Sequence, residues 1–207
     1  MNRILIDTST KGLTLVLLKD EEIIYSFHDE EFRNASENII PKMIEGASKA
    51  NIEFKDFDEI YVTDGPGSYT GERIGLTVAK TYAVLNSNVK IYISSSLKAM
   101  SSLIEGKSLL LLDARNSAYF AGAYFNSKPL FDEKRMEQEE VDNYLKENKE
   151  IVIGVLPYFE QEAKSRFKDN KIVSISMDEA LIKGRKYFEL SELPLTLKAR
   201  YLRGNND

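Results

Sequence analysis

The string Gly65-Pro66-Gly67-Ser68-Tyr69-Thr70-Gly71-Glu72-Arg73-Ile74-Gly75 joins an apolar strand pattern, Glu59 to Thr63, to a helix pattern that runs to Leu85. A glycine-rich turn between a strand and a helix aims backbone N–H groups and the positive end of the helix at one point, which suits an anion. Gly65 and Gly67 carry no Cβ, so the chain there can bend sharply or approach a ligand closely. Pro66 stiffens the turn, and Ser68 or Thr70 can cap the helix. Arg73, on the first turn of that helix, offers a planar fork for phosphate or carboxylate; the alternative is an ion pair with Asp7, Asp64 or Asp113 that ties loops together. The string is neither a Walker loop, since no Gly-Lys-Ser/Thr follows, nor a GxGxxG fingerprint. A second polar set, Asp7-Thr8-Ser9-Thr10, closes the first strand pattern, and a third, Asp113 with Arg115, lies between two later strands. For each of these a purely structural role, as a brace or an ion pair, is the competing reading.

The elements that must position these groups are legible as hydrophobic periods. Arg3–Thr8, Gly12–Leu18 and Glu21–His28 read as strands with links too short for parallel crossovers, hence an antiparallel meander. A helix follows over Ser36–Ala50, with Ile39, Ile40, Met43, Ile44 and Ala47 on one face and Asn34 or Ser36 as cap; Pro41 predicts a late start or a kink. Then come the strand at 59–63, the glycine turn, a helix to Leu85, a strand at Lys90–Ser94 and a short helix at Ser96–Glu105. A second half opens with Leu109–Asp113 paired to Ala118–Phe125 around Arg115-Asn116-Ser117. A charged helix (Glu137–Lys146), a strand (Ile151–Gly154) and weaker α/β elements complete it. In the second helix Gly71, Gly75, Ala79 and Ala83 recur every four residues, beside an apolar row of Ile74, Val78, Tyr82 and Leu85. That small stripe either packs on its own sheet or admits a second helix closely.

Composition narrows the chemistry. The chain has 207 residues, 43% of them hydrophobic, enough for one core or two small lobes. It has no cysteine and a single histidine, His28, which excludes disulfides, thiolate metal sites and histidine-rich metal sites. His28 reads as a surface histidine. The start of the chain shows no charged-then-apolar leader, and no long apolar run follows, so the expectation is a cytoplasmic protein without a membrane segment. A net charge of −5 argues against an overall grip on nucleic-acid phosphates. The stretch with Lys183, Arg185, Lys186, Lys198, Arg200 and Arg203 is locally basic, read as a solvated face or a minor contact with RNA or a partner.

The whole string at 65–75 resembles the Gly-Pro-Gly-Ser-Phe/Tyr-Thr-Gly-x-Arg-Ile-Gly signature of the TsaB (YeaZ-type) family, reduced relatives of the sugar kinase, actin and Hsp70 superfamily that are often grouped with M22 glycopeptidases. Ile4–Thr10 resembles that family's opening strand and first phosphate-type loop, Asp113-Ala114-Arg115 with Tyr119 the start of its second half, and Tyr201-Leu202-Arg203 its C-terminal motif. The resemblance implies an α/β fold of two ribonuclease-H-like, actin-like ATPase lobes, the second reduced, with a boundary near Gly106: residues 1–106 carrying partner-docking helices, and 107–207. It implies a non-catalytic subunit for threonylcarbamoyladenosine synthesis on tRNA, bound to the catalytic paralogue TsaD, completed by the ATPase TsaE, and pairing with itself when TsaD is absent. Contact with tRNA would come through the complex. The implied interface comprises Ile39, Ile40, Met43, Gly71, Gly75, Val78, Ala79, Tyr82 and Ala83. Asp7, Thr8, Ser9, Thr10, Gly65, Gly67, Ser68, Thr70, Arg73, Asp113 and Arg115 are the candidate nucleotide or anion site. In the superfamily an acidic residue at Asp7's position reaches Mg²⁺ through water, so ATP or ADP with Mg is a candidate ligand, with no cofactor required and no metal site of the chain's own. A kinase-like ATP-binding enzyme is the alternative. An M22 metallopeptidase is disfavoured, because Arg33–Pro41, where catalytic relatives carry paired histidines, has none and reads Ala35 where one is common.

Overall fold

The computed structural model describes residues 1–30 and 34–202, so Arg33 and Arg203 of the sequence analysis lie outside the described residues. The chain runs β1 (Asn2–Asp7), β2 (Leu13–Lys19), β3 (Glu22–Asp29), α1 (Ala35–Lys49), β4 (Glu59–Thr63), α2 (Tyr69–Leu85), β5 (Lys90–Ser94) and α3 (Ser96–Ser101). It continues with β6 (Lys107–Asp113), β7 (Ala118–Phe125), β8 (Lys128–Pro129), β9 (Lys134–Glu137), α4 (Gln138–Glu147), β10 (Val152–Val155), α5 (Pro157–Arg166), β11 (Ile172–Ser174), α6 (Met177–Gly184) and β12 (Glu189–Leu190).

Two mixed sheets result, with orders β12-β5-β4-β1-β2-β3 and β11-β10-β6-β7-β8, and β9 also pairing β7. In each, an antiparallel hairpin (β1–β2, β6–β7) carries parallel strands on its first member's outer edge (β4 then β5, β10 then β11). This shared plan is that of two ribonuclease-H-like lobes. The second is reduced in strand length rather than in order. The first sheet takes its outermost strand, β12, from residues 107–207, the span expected to form the second lobe.

Side-chain alternation explains why both hairpins read as continuous apolar runs. Ile4 and Ile6 of β1 and Leu13, Leu15 and Leu17 of β2 face α1 and α2; Leu5, Val16 and Leu18 face the other way, into a core with α3, α6, Leu110 and Leu112. Leu109 and Leu111 turn to a third core under α4 and α5. The middle core therefore joins the two sheets. Among the described residues, no helix is long and apolar enough to cross a membrane.

Helix α1 departs from expectation in two ways. It runs without a break from Ala35 through Pro41, so the proline does not delay its start, and Asn34 occupies the cap position without a side-chain cap bond. Its apolar face is split: Ile39, Met43 and Ala47 are buried, whereas Ile40 and Ile44 are 37% and 51% exposed.

The small stripe of α2 turns inward. A Cβ on Gly71 would stand 1.9 Å from the Thr8 carbonyl oxygen, and one on Gly75 would meet Thr8 Oγ1 at 2.9 Å and Val62 at 3.1 Å. Ala79 is fully buried in the first core, and Ala83 packs against its edge. The interface implied for Ile39, Met43, Gly71, Gly75, Ala79 and Tyr82 is thus corrected, since all six are buried within this chain. Small residues are needed here because α2 lies directly on β1 and β4. Of the implied interface only Ile40 is exposed, with Val78 and Ala83 partly so.

Candidate functional site

The loop after β1 and the glycine turn before α2 close on each other. Ser68 N–H donates to the Ser9 carbonyl at 2.7 Å. Thr8 Oγ1 donates to the Gly71 carbonyl at 2.7 Å and accepts from Gly75 N–H at 3.0 Å. Ser96 Oγ donates to the Pro66 carbonyl at 2.9 Å and lies 3.1 Å from Ser9 Oγ. A Cβ on Gly67 would stand 1.9 Å from the Ser9 carbonyl oxygen, so this glycine is required by the approach of two backbones, not of a ligand. Gly65 adopts φ +111°, a left-handed conformation open to glycine. Ser68, rather than Thr70, caps α2, accepting from Gly71 N–H at 3.3 Å.

Asp7 sits at the centre of this closure, 1% exposed. Its Oδ1 accepts from Ser9 Oγ at 2.7 Å and from Thr63 Oγ1, and its Oδ2 accepts from Thr10 Oγ1 and Thr10 N–H. Three hydroxyls and backbone N–H groups therefore occupy both oxygens, and Asp7 braces the hairpin.

Arg73 pairs with none of Asp7, Asp64 or Asp113. Its guanidinium is exposed and stands 4.8 Å from the centroid of the Tyr69 ring. The residue that ties Asp64 is Arg200, from the far end of the chain, with Nε and Nη2 at 3.0 and 3.2 Å from the two carboxylate oxygens. Arg200 N–H also donates to the Asp64 carbonyl at 2.7 Å. Glu72 is buried behind the turn: Oε1 accepts from Gly67 N–H at 2.8 Å, and Oε2 has no hydrogen-bond partner among the described residues. Burial, reinforced by the Asp64 charge and opposed by the Gly67 N–H, pushes this carboxyl up to about 7. Sequence reasoning missed both residues. Glu72 looks like an exposed first-turn acid, and Arg200 meets Asp64 across 136 positions.

Between the sheets lies a cleft of about 650 Å³, walled by Ser9–Gly12, Gly67–Thr70, Leu112–Arg115, Phe120 and Tyr158. Here Asp113 and Arg115 meet, though not as a side-chain pair: Asp113 Oδ1 accepts from Arg115 N–H at 2.7 Å. Arg115, Asn116 and Ser117 all have positive φ, between 52° and 64°. Lys11 stands 4.9 Å from the Tyr158 ring. Of the implied nucleotide site, Ser9, Thr10, Gly67, Ser68, Thr70, Asp113 and Arg115 line the cleft; Asp7, Thr8, Gly65 and Arg73 do not. Among the described residues, no group of three His, Cys, Asp or Glu side chains is arranged to hold a metal ion. His28 is half-buried rather than on the open surface, with Nδ1 2.8 Å from Thr14 Oγ1.

The family model described as TsaD, tRNA N6-adenosine threonylcarbamoyltransferase, matches residues 29–171. The chain belongs to this family. Within it the chain is of the TsaB/YeaZ type. It is 32% identical over 127 residues to the tRNA threonylcarbamoyladenosine biosynthesis protein TsaB of Bacillus subtilis, a match spanning 60% of this chain and 55% of that relative. It is 25% identical over 207 residues to an uncharacterized Mycoplasma pneumoniae protein, covering 97% and 94% of the two chains. A Pseudomonas aeruginosa structure described as similar to peptidase YEAZ superposes with a TM-score of 0.79 at 17% identity, over 98% of this chain and 99% of that one, a likeness of fold. An ADPNP-bound dehydratase activator from Clostridium difficile shares the fold at a TM-score of 0.53 and 11% identity, over 90% of this chain and 94% of that one.

Proposed function

We propose that this TsaB-type chain is a non-catalytic subunit in the synthesis of threonylcarbamoyladenosine on tRNA, which holds and stabilises a catalytic TsaD-type paralogue while the ATPase TsaE completes the assembly. The observation that carries this reading is Asp7. At the position where a superfamily kinase would place a metal-directed carboxylate, both oxygens are already filled by Ser9, Thr10 and Thr63. Ground-state bonds to three internal hydroxyls support the fold and leave no free acceptor for a reacting group.

The docking surface is proposed at the outer side of α1 and α2, where Ile40 and Ile44 (37% and 51% exposed) and Val84 and Leu85 (68% and 72%) leave large apolar side chains in water. A second copy of the chain would take the same surface when the paralogue is absent. A reconstituted tRNA-modification assay, run with and without this chain in the presence of a TsaD and a TsaE protein, tests the reading. Modification should depend on the chain. Equal modification without it overturns the proposal. ATP hydrolysis by the chain alone should stay at background, and turnover that disappears in Asp7→Ala would favour the kinase-like alternative.

The cleft supports a further, subordinate reading. Its volume of about 650 Å³ and the cations Lys11 and Arg115 suit ATP or ADP with Mg²⁺, bound without turnover. Calorimetric titration with ADP and Mg²⁺ checks it, and no heat of binding at millimolar ADP would remove it.

A further inference from the structure

The basic C-terminal stretch divides once its partners are known. Arg185 pairs with Glu21 and Arg200 with Asp64, so neither offers a free charge. Lys198 is exposed and forms no ion pair among the described residues. It lies beside α2, where Arg73 and Lys80 are likewise without a carboxylate partner among the described residues, and the three cations converge on one groove. This groove, of about 360 Å³, is lined by Arg73, Leu76, Thr77, Lys80, Leu197, Lys198, Ala199 and Tyr201, with no acidic side chain among them. The Tyr201 ring, on the groove wall, stacks on Tyr69, which lines the neighbouring cleft, with centroids 5.1 Å apart and planes 26° apart. With Arg73 also against Tyr69, the three form a stack in which Tyr69 and Tyr201 remain 58% and 42% exposed.

We propose that this groove takes a segment of single-stranded RNA, with a base stacked on the Tyr69–Tyr201 pair and backbone phosphates held by Arg73, Lys80 and Lys198. An aromatic platform flanked by unpaired cations matches an unpaired nucleotide, since every base offers a π-face and every linkage one negative charge. The acidic net charge of −5 does not oppose this, because the groove concentrates positive charge while the acids lie elsewhere. Anchoring of the tail by the Arg200–Asp64 pair, in which Asp64 is buried and Arg200 half-exposed, holds Tyr201 and Lys198 against α2. The inference adds a direct RNA contact to the role proposed above but does not require that role to hold.

Fluorescence anisotropy of a 5′-labelled single-stranded heptaribonucleotide with the isolated chain, between 50 and 200 mM KCl, tests it. Binding should be measurable at the low-salt end. The log–log salt slope should be about −2, from three cations at roughly 0.7 each on a single strand. Tyr201→Ala should weaken binding about tenfold, in the range lost with one stacked base, while Tyr201→Phe retains it. Lys198→Glu, at an exposed side chain that leaves the tail anchored, should weaken binding and flatten the slope. Absence of binding at 50 mM KCl overturns the proposal, as do unchanged affinities in Tyr201→Ala and Lys198→Glu chains that melt normally. Equal competition by an acidic peptide of the same charge would instead mark a protein-docking groove and equally overturn it. Because the readout uses no modification assay, its failure is separate from failure of the subunit role.

Discussion

The two hairpin loops β1–β2 and β6–β7 occupy equivalent places in two sheets of the same plan, yet their aspartates live in opposite environments. Asp7 is buried and fully bonded, and the loop behind it is clamped by the glycine turn. Asp113 is exposed and accepts one bond from Arg115 N–H, in a loop with three consecutive residues at positive φ. Topology places both carboxylates at the ends of equivalent strands, but only Asp113 lines the cleft. What differs is the neighbour that arrives next: α2, with Gly67 and Gly71, lies on the first loop, whereas no comparable glycine turn follows β10, where Leu156 and Pro157 begin α5. A shared strand order thus fixes where a side chain sits, and the packing of the following helix decides whether it remains free for a ligand.

The sharpest way to break this contrast is Gly67→Val. The added Cβ meets a backbone carbonyl that cannot move aside, so the loss should be about 4 kcal/mol or more, read by denaturant melting. A variant that melts like the parent would mean that the two loops are not clamped. Next in size is Asp7→Ala, which strands three buried hydroxyls and should cost about 3 kcal/mol. Its counterpart Asp113→Ala should stay within about 0.5 kcal/mol, as for an exposed surface change. Similar losses in the two variants would erase the distinction.

A smaller, pH-dependent effect comes from Glu72. Its carboxyl is raised to about 7 in the folded chain from 4.5, so the native state holds a proton that the unfolded chain has released. That contribution is fully present below about pH 4.5 and is lost as pH rises through 7. The parent should therefore lose more stability than Glu72→Gln between pH 5 and 7.5, measured as the difference between their Tm–pH curves. Parallel curves would show that Glu72 is ionised at neutral pH.

Much of this was legible in the sequence because short-range patterns fix it. Glu59–Thr63 and Lys90–Ser94 match their strands to the residue, and the links of β1, β2 and β3 forced a meander. The side of α2 that meets the sheet was not legible, since a four-residue spacing of small residues gives a face but not its direction. Nor was the clasp of Arg200 on Asp64, which depends on the tail returning across the first sheet through β12. Glu72 escaped notice because burial on a first helical turn is decided by Gly65 and Gly67 wrapping over it.

The central claim is that α2 spends its small stripe inside the chain and leaves a different, apolar edge for docking. Light scattering of the chain mixed with a TsaD protein, alongside melting of each isolated variant, tests it most directly. Ala79→Trp should destabilise the isolated chain by about 3 kcal/mol, because Ala79 is fully buried. Ile44→Asp should melt like the parent and fail to associate, because Ile44 is 51% exposed on α1. Normal melting of Ala79→Trp with lost association, together with full association of Ile44→Asp, would contradict the account and return the stripe to the partner surface.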